Sequence, residues 1–184
     1  MNDEAAHLVD KVLPKITYRQ WVISFPYKLR YMMAYSPKLT NKALSIFIAV
    51  IGSYLKKKAR RSGIKNSKPG VVTFIQRFGS ALNLNIHFHS LFADGVFYKS
   101  GDEYIFYRLQ EPSQEELFEL AEKVKNKVQV AVEKMGFNET DQTDFNQNLL
   151  GDISTISIQH KSAFGEREGR GSKTIWHKEN RSRS

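Results

Sequence analysis

At 184 residues the chain has the length of one ordinary domain, and a hydrophobic content of 41% is enough to build a core. Its 28 lysines and arginines outnumber 19 acidic residues for a net charge of +9, which favours polyanionic partners, because cations that neutralise phosphates release condensed counterions. The absence of cysteine excludes disulfides and cysteine-ligated zinc.

Residues 1–15 read as an N-terminal helical segment: Ala5, Leu8, Val9, Val12 and Leu13 are spaced for a short amphipathic helix ending at Pro14. Met1 to Asp10 is polar and partly acidic, unlike a signal peptide. Tyr18 to Phe25, aromatic and β-branched, predicts a strand stopped by Pro26, and Tyr27 to Tyr35 a short helix. Ser36-Pro37 is a helix start, with serine as N-cap and proline at the first helical position. Leu39, Ala43, Leu44, Phe47, Val50, Ile51 and Tyr54 follow at helical spacing. The apolar run from Ala43 to Leu55 is shorter than the roughly 20 residues a membrane span needs, so a buried helix is expected and no membrane partner. Lys56, Lys57, Lys58, Arg60 and Arg61 end this helix, where cations suit the helix dipole, and Gly63 lies just beyond.

Val71 to Phe78, Asn83 to Phe92, Val96 to Tyr98 and Tyr104 to Leu109 predict four strands, with Asp94-Gly95 and Ser100-Gly101-Asp102 as turns; an antiparallel meander is expected. Ser113 and Glu116 form a capping box for a long helix with an inner stripe from Leu117 to Met135, ended by Gly136. The expected fold class is α+β, an antiparallel sheet with helices packed on one face. The core domain would span 16–136, and 137–184 would be a weakly structured polar and basic tail, with one more strand at Ile153 to Ile158.

The residues with most chemical promise are His87 and His89. Two apart on a strand, they share a face about 6.6 Å apart along the chain and can lean towards one divalent ion, while Ile86, Phe88 and Phe92 anchor the other face. Composition alone leaves this pair weak, since it is equally consistent with two half-exposed strand histidines.

Its surroundings add weight. Phe74-Ile-Gln-Arg-Phe-Gly-Ser-Ala-Leu-Asn-Leu-Asn-Ile-His-Phe-His89, followed by Asp94-Gly-Val96, resembles the signature of the two-tyrosine rolling-circle insertion-sequence transposases, members of the HUH (His-hydrophobic-His) endonuclease superfamily. Arg19-Gln-Trp-Val-Ile-Ser-Phe-Pro26 and Leu29-Arg-Tyr31 are similar to that family's opening strand and helix. The resemblance implies an HUH, ferredoxin-like fold in a bacterial cytoplasm, acting on single-stranded DNA at a transposon end. A tyrosine would attack a phosphodiester to give a 5′-phosphotyrosine and a free 3′-hydroxyl. A divalent metal, Mg²⁺ or Mn²⁺, would polarise the phosphate as a Lewis acid.

Such sites usually add a third polar ligand. Gln76 is a candidate, but strict alternation groups it with Val72, Phe74 and Phe78 on the expected core side and leaves Arg77 on the other face as a phosphate clamp. A bulge near Gly79 would alter that assignment. His160 is a more distant ligand candidate. Lys57, Lys58, Arg60 and Arg61 are candidates for DNA binding, or only a helix cap, and Trp21, Phe25 and Phe97 are expected in the core rather than as base-stacking platforms.

The family's catalytic tyrosines lie downstream of the histidines, whereas here none follows Tyr107. The expectation is therefore a fragment that holds DNA and metal but does not nick alone. Tyr31, flanked at intervals of four by Tyr27 and Tyr35, is the internal candidate nucleophile. Two other readings stay open: a non-enzymatic DNA-binding remnant or regulator, which could form oligomers with a full-length transposase, and a metal-dependent phosphodiesterase using water, for which Asp94 is the nearest carboxylate in sequence.

Overall fold

In a computed structural model, residues 13–79, 83–136, 157–164 and 173–175 are described. The helix expected near the N-terminus lies almost wholly outside them, as do residues 153–156 of the expected late strand. In chain order the elements are β1 (Tyr18–Ser24), α1 (Tyr27–Tyr35), α2 (Pro37–Arg61), β2 (Val71–Phe78), β3 (Leu84–Ala93), β4 (Gly95–Ser100), β5 (Glu103–Arg108), α3 (Gln114–Lys134), β6 (Ser157–Phe164) and β7 (Lys173–Ile175). Both sheets are antiparallel and the fold is α+β, as the sequence predicts.

The main sheet has the order β2-β3-β1-β6-β7. β1 runs against β3 from Tyr18↔Ala93 to Ser24↔His87, and β6 runs along its other edge. The expected meander is therefore incorrect. β1 occupies the edge of β3 that β4 would have taken, and the chain leaves the sheet at Asp94, so β4 and β5 form a separate hairpin. Asp94 holds that corner: its N–H donates to the Thr17 carbonyl, its carbonyl accepts from Leu109, and its buried carboxylate accepts two bonds from Arg19 at 2.8 and 3.1 Å. The sheet also takes in β6 and β7, from the polar stretch beyond residue 136.

Burial alternates along the two central strands. Trp21 and Ile23 on β1 and Ile86, Phe88, Ser90 and Phe92 on β3 are buried, and the residues between them are half-buried. The buried face meets Leu39, Phe47 and Ile51 of α2 and Leu117, Val124 and Val128 of α3 in one core. Trp21 contacts Tyr54 and Phe92 edge-on, and Phe25 contacts Phe88 in the same way at 5.2 Å. Each large side chain so buried contributes about 1.5–3 kcal/mol relative to an exposed one. Trp21 and Phe25 are core residues, as expected, and Phe97 packs on Phe106.

Both long helices begin where the sequence says. Ser36 Oγ accepts from the Leu39 amide at 3.2 Å, with Pro37 opening α2. Ser113 and Glu116 exchange the two bonds of a capping box at the start of α3. Glu116 Oε2 also accepts from Lys58 Nζ and Tyr54 Oη, each at 2.9 Å, which ties α3 to α2. Burial pushes the Glu116 carboxyl up, yet its bonds from Lys58, Ser113 and Tyr54 together hold it below the ordinary carboxylate range.

Candidate functional site

The face of β3 turned away from the helices carries Asn85, His87, His89 and Leu91. His87 and His89 are half-buried, and their ring centroids lie 4.9 Å apart with the planes inclined at 63°. Two imidazoles bound to one ion through nitrogens about 2.1 Å from it have centroids roughly 4.5–5.2 Å apart, so the observed separation suits a shared cation.

Neighbouring groups set the ring nitrogens. His87 Nδ1 lies 2.6 Å from the carbonyl oxygen of Asn85, which can only accept. Nδ1 therefore carries the proton, and Nε2 keeps the lone pair that a metal or a proton would take. His89 Nδ1 lies 2.8 Å from the side-chain amide of Gln20 on β1. A half-turn of that amide exchanges donor for acceptor, so either tautomer of His89 keeps a partner. The contact between Gln20 and His89 is not visible in local sequence, because it depends on the register of β1 against β3.

β2 is where the sequence reading inverts. Gln76 pairs directly with His87 and Phe74 with His89, and cross-strand partners share a face. Gln76 is therefore a neighbour of the histidines rather than a core amide, and its carbonyl oxygen is the nearest cross-strand candidate for a third ligand. Phe74 and Phe78 are exposed, at 47% and 58%. Thr73 belongs to the core side, where its hydroxyl bonds Ser90 at 2.7 Å. Arg77 is exposed and lies inside the register shift that follows Gln76, where alternation assigns it to neither face. The register does shift between Gln76 and Phe78, close to the expected bulge, but the pairing of Gln76 precedes it.

A different arginine approaches the site. Arg30 of α1 donates from Nη1 to Asn85 Oδ1, next to His87 on the same face, while its buried Nε has no hydrogen-bond partner among the described residues. Only its place in the run Leu29-Arg-Tyr31 marked it in sequence. Asp94, by contrast, is bound to Arg19 on the core side and is unavailable as a ligand or base. Among the described residues no group of three or more His, Asp or Glu side chains could hold a metal, so the candidate ligands on this face are two imidazoles and an amide.

The remaining candidates are dispersed. Tyr27, Tyr31 and Tyr35 form an exposed ladder, with the Tyr31 and Tyr35 rings 4.8 Å apart. The hydrogen bond from Tyr31 to Tyr35, then the charge of that second phenol, pushes Tyr31 above its ordinary value, the wrong direction for an activated phenolate. His160 of β6 is in register with Trp21, between the positions of Gln20 and Val22 that share the histidine face. Lys57, Arg60 and Arg61 are exposed on the last turns of α2, while Lys58 is engaged with Glu116. Among the described residues no helix is long and apolar enough to cross a membrane.

Comparison with known proteins bears on this face. No curated protein matches the chain significantly. Among solved structures it is similar to a phage SAM lyase in complex with S-methyl-5′-thioadenosine, at 9% identity and a TM-score of 0.29 over 91% of this chain and 95% of that one, a likeness too slight to carry an argument. The family model described as "Putative transposase" matches residues 70–168, from the start of β2 through the histidine strand, the β4–β5 hairpin and α3 to the end of β6. That match covers more than half of the chain and contains both histidines, so the protein belongs to this transposase family.

Proposed function

We propose that the histidine face binds unpaired DNA at a transposon end together with a divalent cation, Mg²⁺ or Mn²⁺, as the DNA-holding core of two-tyrosine, HUH-type nicking and strand transfer. The observation that carries this reading is the pair of imidazoles 4.9 Å apart, with the His87 proton fixed on Nδ1 so that Nε2 faces a ligand as an electron-pair donor. His87, His89 and Gln76 would hold the ion, which supplies Lewis-acid polarisation of a phosphate oxygen when bound. Imidazole donors favour Mn²⁺ over Mg²⁺. Arg30 places a permanent cation beside the face, where it can position a phosphate. Phe74, in register with His89, offers an exposed ring on which an unstacked base can lie, a stacking interaction contributing about 1–3 kcal/mol. No tyrosine follows Tyr107 and the bond from Tyr31 to Tyr35 shifts the Tyr31 phenol upward, so no attacking tyrosine is assigned within these 184 residues.

The test is anisotropy of a labelled single-stranded oligonucleotide with and without Mn²⁺. The wild type is expected to bind at least tenfold more tightly with the ion, and a His87→Ala/His89→Ala variant to lose that gain while keeping its metal-independent affinity. Gln20→Leu should weaken Mn²⁺ binding by about 10–100-fold through loss of the bond that orients His89, with little change in thermal stability. The absence, among the described residues, of three or more His, Asp or Glu side chains grouped to hold a metal favours a second reading, DNA binding without metal or catalysis. Identical Mn²⁺ responses from wild type and double variant would decide for that alternative, and no binding of single strands would dismiss both.

A further inference from the structure

On the opposite side of the molecule α2 and α3 lie antiparallel, with Tyr54 and Lys58 meeting the start of α3 and Lys38 and Lys42 meeting its end. The seam between them is an open cleft of about 610 Å³. Lys42, Lys57, Lys58, Arg61, Lys123 and Lys127 line it, against only two carboxylates, Glu116 and Glu119. Glu116 is saturated by Lys58, Tyr54 and its capping bonds. Glu119 pairs with Lys123 at 3.2 Å, but both are exposed, and such a pair contributes little and exchanges readily for a phosphate. Lys42, Lys57, Arg61 and Lys127 have no ion-pair partner among the described residues. The apolar floor, including Ile46, Ala49 and Leu120, can take the lysine stems while the ammonium groups stay at the rim.

We infer that this seam is a second nucleic-acid surface, a phosphate track for double-stranded DNA on the side of the protein away from the histidines. The proposed function enters only in naming DNA as the polyanion. Charge density selects the class of partner: four unpaired cations converge on one straight groove of a chain that carries +9 overall. Lys42 and Arg61 are separated by about 28 Å along α2, the length of roughly eight base pairs. The lining selects duplex over single strand. Unpaired bases are held by exposed aromatic rings, and the one aromatic side chain lining this cleft, Tyr54, is packed on Trp21 and bonded to Glu116. The histidine face has the opposite character, with the exposed ring of Phe74 in register with His89. The two faces thus divide the work, one for unpaired nucleotides and the other for the flanking duplex.

The test is binding of a labelled 20-base-pair duplex between 50 and 200 mM KCl, read as the slope of log K against log salt. Lys42→Ala/Lys57→Ala/Arg61→Ala/Lys127→Ala is expected to make the slope shallower by about 3–4, at about 0.9 for each phosphate no longer neutralised, with at least a hundredfold loss of affinity at the lowest salt. Lys15→Ala/Lys65→Ala/Lys68→Ala/Lys99→Ala removes the same charge elsewhere and should change the slope by less than one. Circular dichroism would confirm that both variants are folded, and all eight sites are solvent-facing. His87→Ala/His89→Ala should bind duplex like wild type, which separates failure of this surface from failure of the histidine site. Equal losses in the two quadruple variants, or no duplex binding by wild type, would overturn the inference.

Discussion

Asp94→Ala should lower the stability of the fold by about 3–5 kcal/mol, read as a reduced midpoint in urea denaturation. Arg19 and Asp94 are only 3% and 6% exposed, and the guanidinium meets the carboxylate through Nε at 2.8 Å and Nη2 at 3.1 Å. Removing the carboxylate leaves a permanent cation in the core layer, since arginine cannot discharge by losing its proton. Glu111, 3.9 Å from Nη2 and 40% exposed, is too distant and too solvated to replace it. Much of the cost arises from depriving a buried guanidinium of this two-bond partner rather than from the net worth of the pair itself. An Arg19→Met/Asp94→Leu double variant should therefore recover a large part of the loss. A single-variant cost below about 1 kcal/mol would show that Arg19 reaches water by another route.

The neighbouring residue should be nearly as sensitive. A Cβ at Gly95 would lie 2.1 Å from the Tyr107 carbonyl oxygen, 2.8 Å from Phe106 Cζ and 2.9 Å from Arg108 Cα. Two of these atoms are backbone of the paired strand, so relief requires opening the β4–β5 hairpin. Gly95→Ala is expected to cost about 3 kcal/mol or more, with amide exchange accelerated in that hairpin before the main sheet. Gly63 makes the contrast: its φ is +83° and nothing lies within 4 Å, so Gly63→Ala should cost only about 1–2 kcal/mol of backbone strain. A smaller loss at Gly95 than at Gly63 would contradict this ranking.

That contrast also marks what local sequence reveals. Asp94-Gly95 reads as a turn dipeptide, and Gly63, Gly101 and Gly136 do take positive φ, but Gly95 does not. It is glycine because another strand passes against it, a fact that belongs to the folded partner. The helix starts at Ser36 and Ser113 were legible because an N-cap acts over three residues. The inward face of β3 was legible because Ile86, Phe88 and Phe92 leave no choice. β2 was not. Val71, Thr73 and Ile75 alternate with Val72, Phe74 and Gln76, and either set could pass for the inner one. Only the pairings of Gln76 with His87 and of Phe74 with His89 decide, and they bring Phe74 to the histidine face. The insertion of β1 beside β3 was hidden for a related reason, since partners some seventy residues apart leave no mark on either segment's own pattern.

Glu116 joins a short-range interaction to a long-range one. Its Oε2 takes the Ser113 amide three residues away and the Lys58 ammonium 58 residues away. The first turn of α3 is thus completed by a group delivered from the last turns of α2, and those turns are anchored by the same oxygen. Neither end can fray alone without loosening the other, so the two form one cooperative unit whose opening exposes both helix termini together.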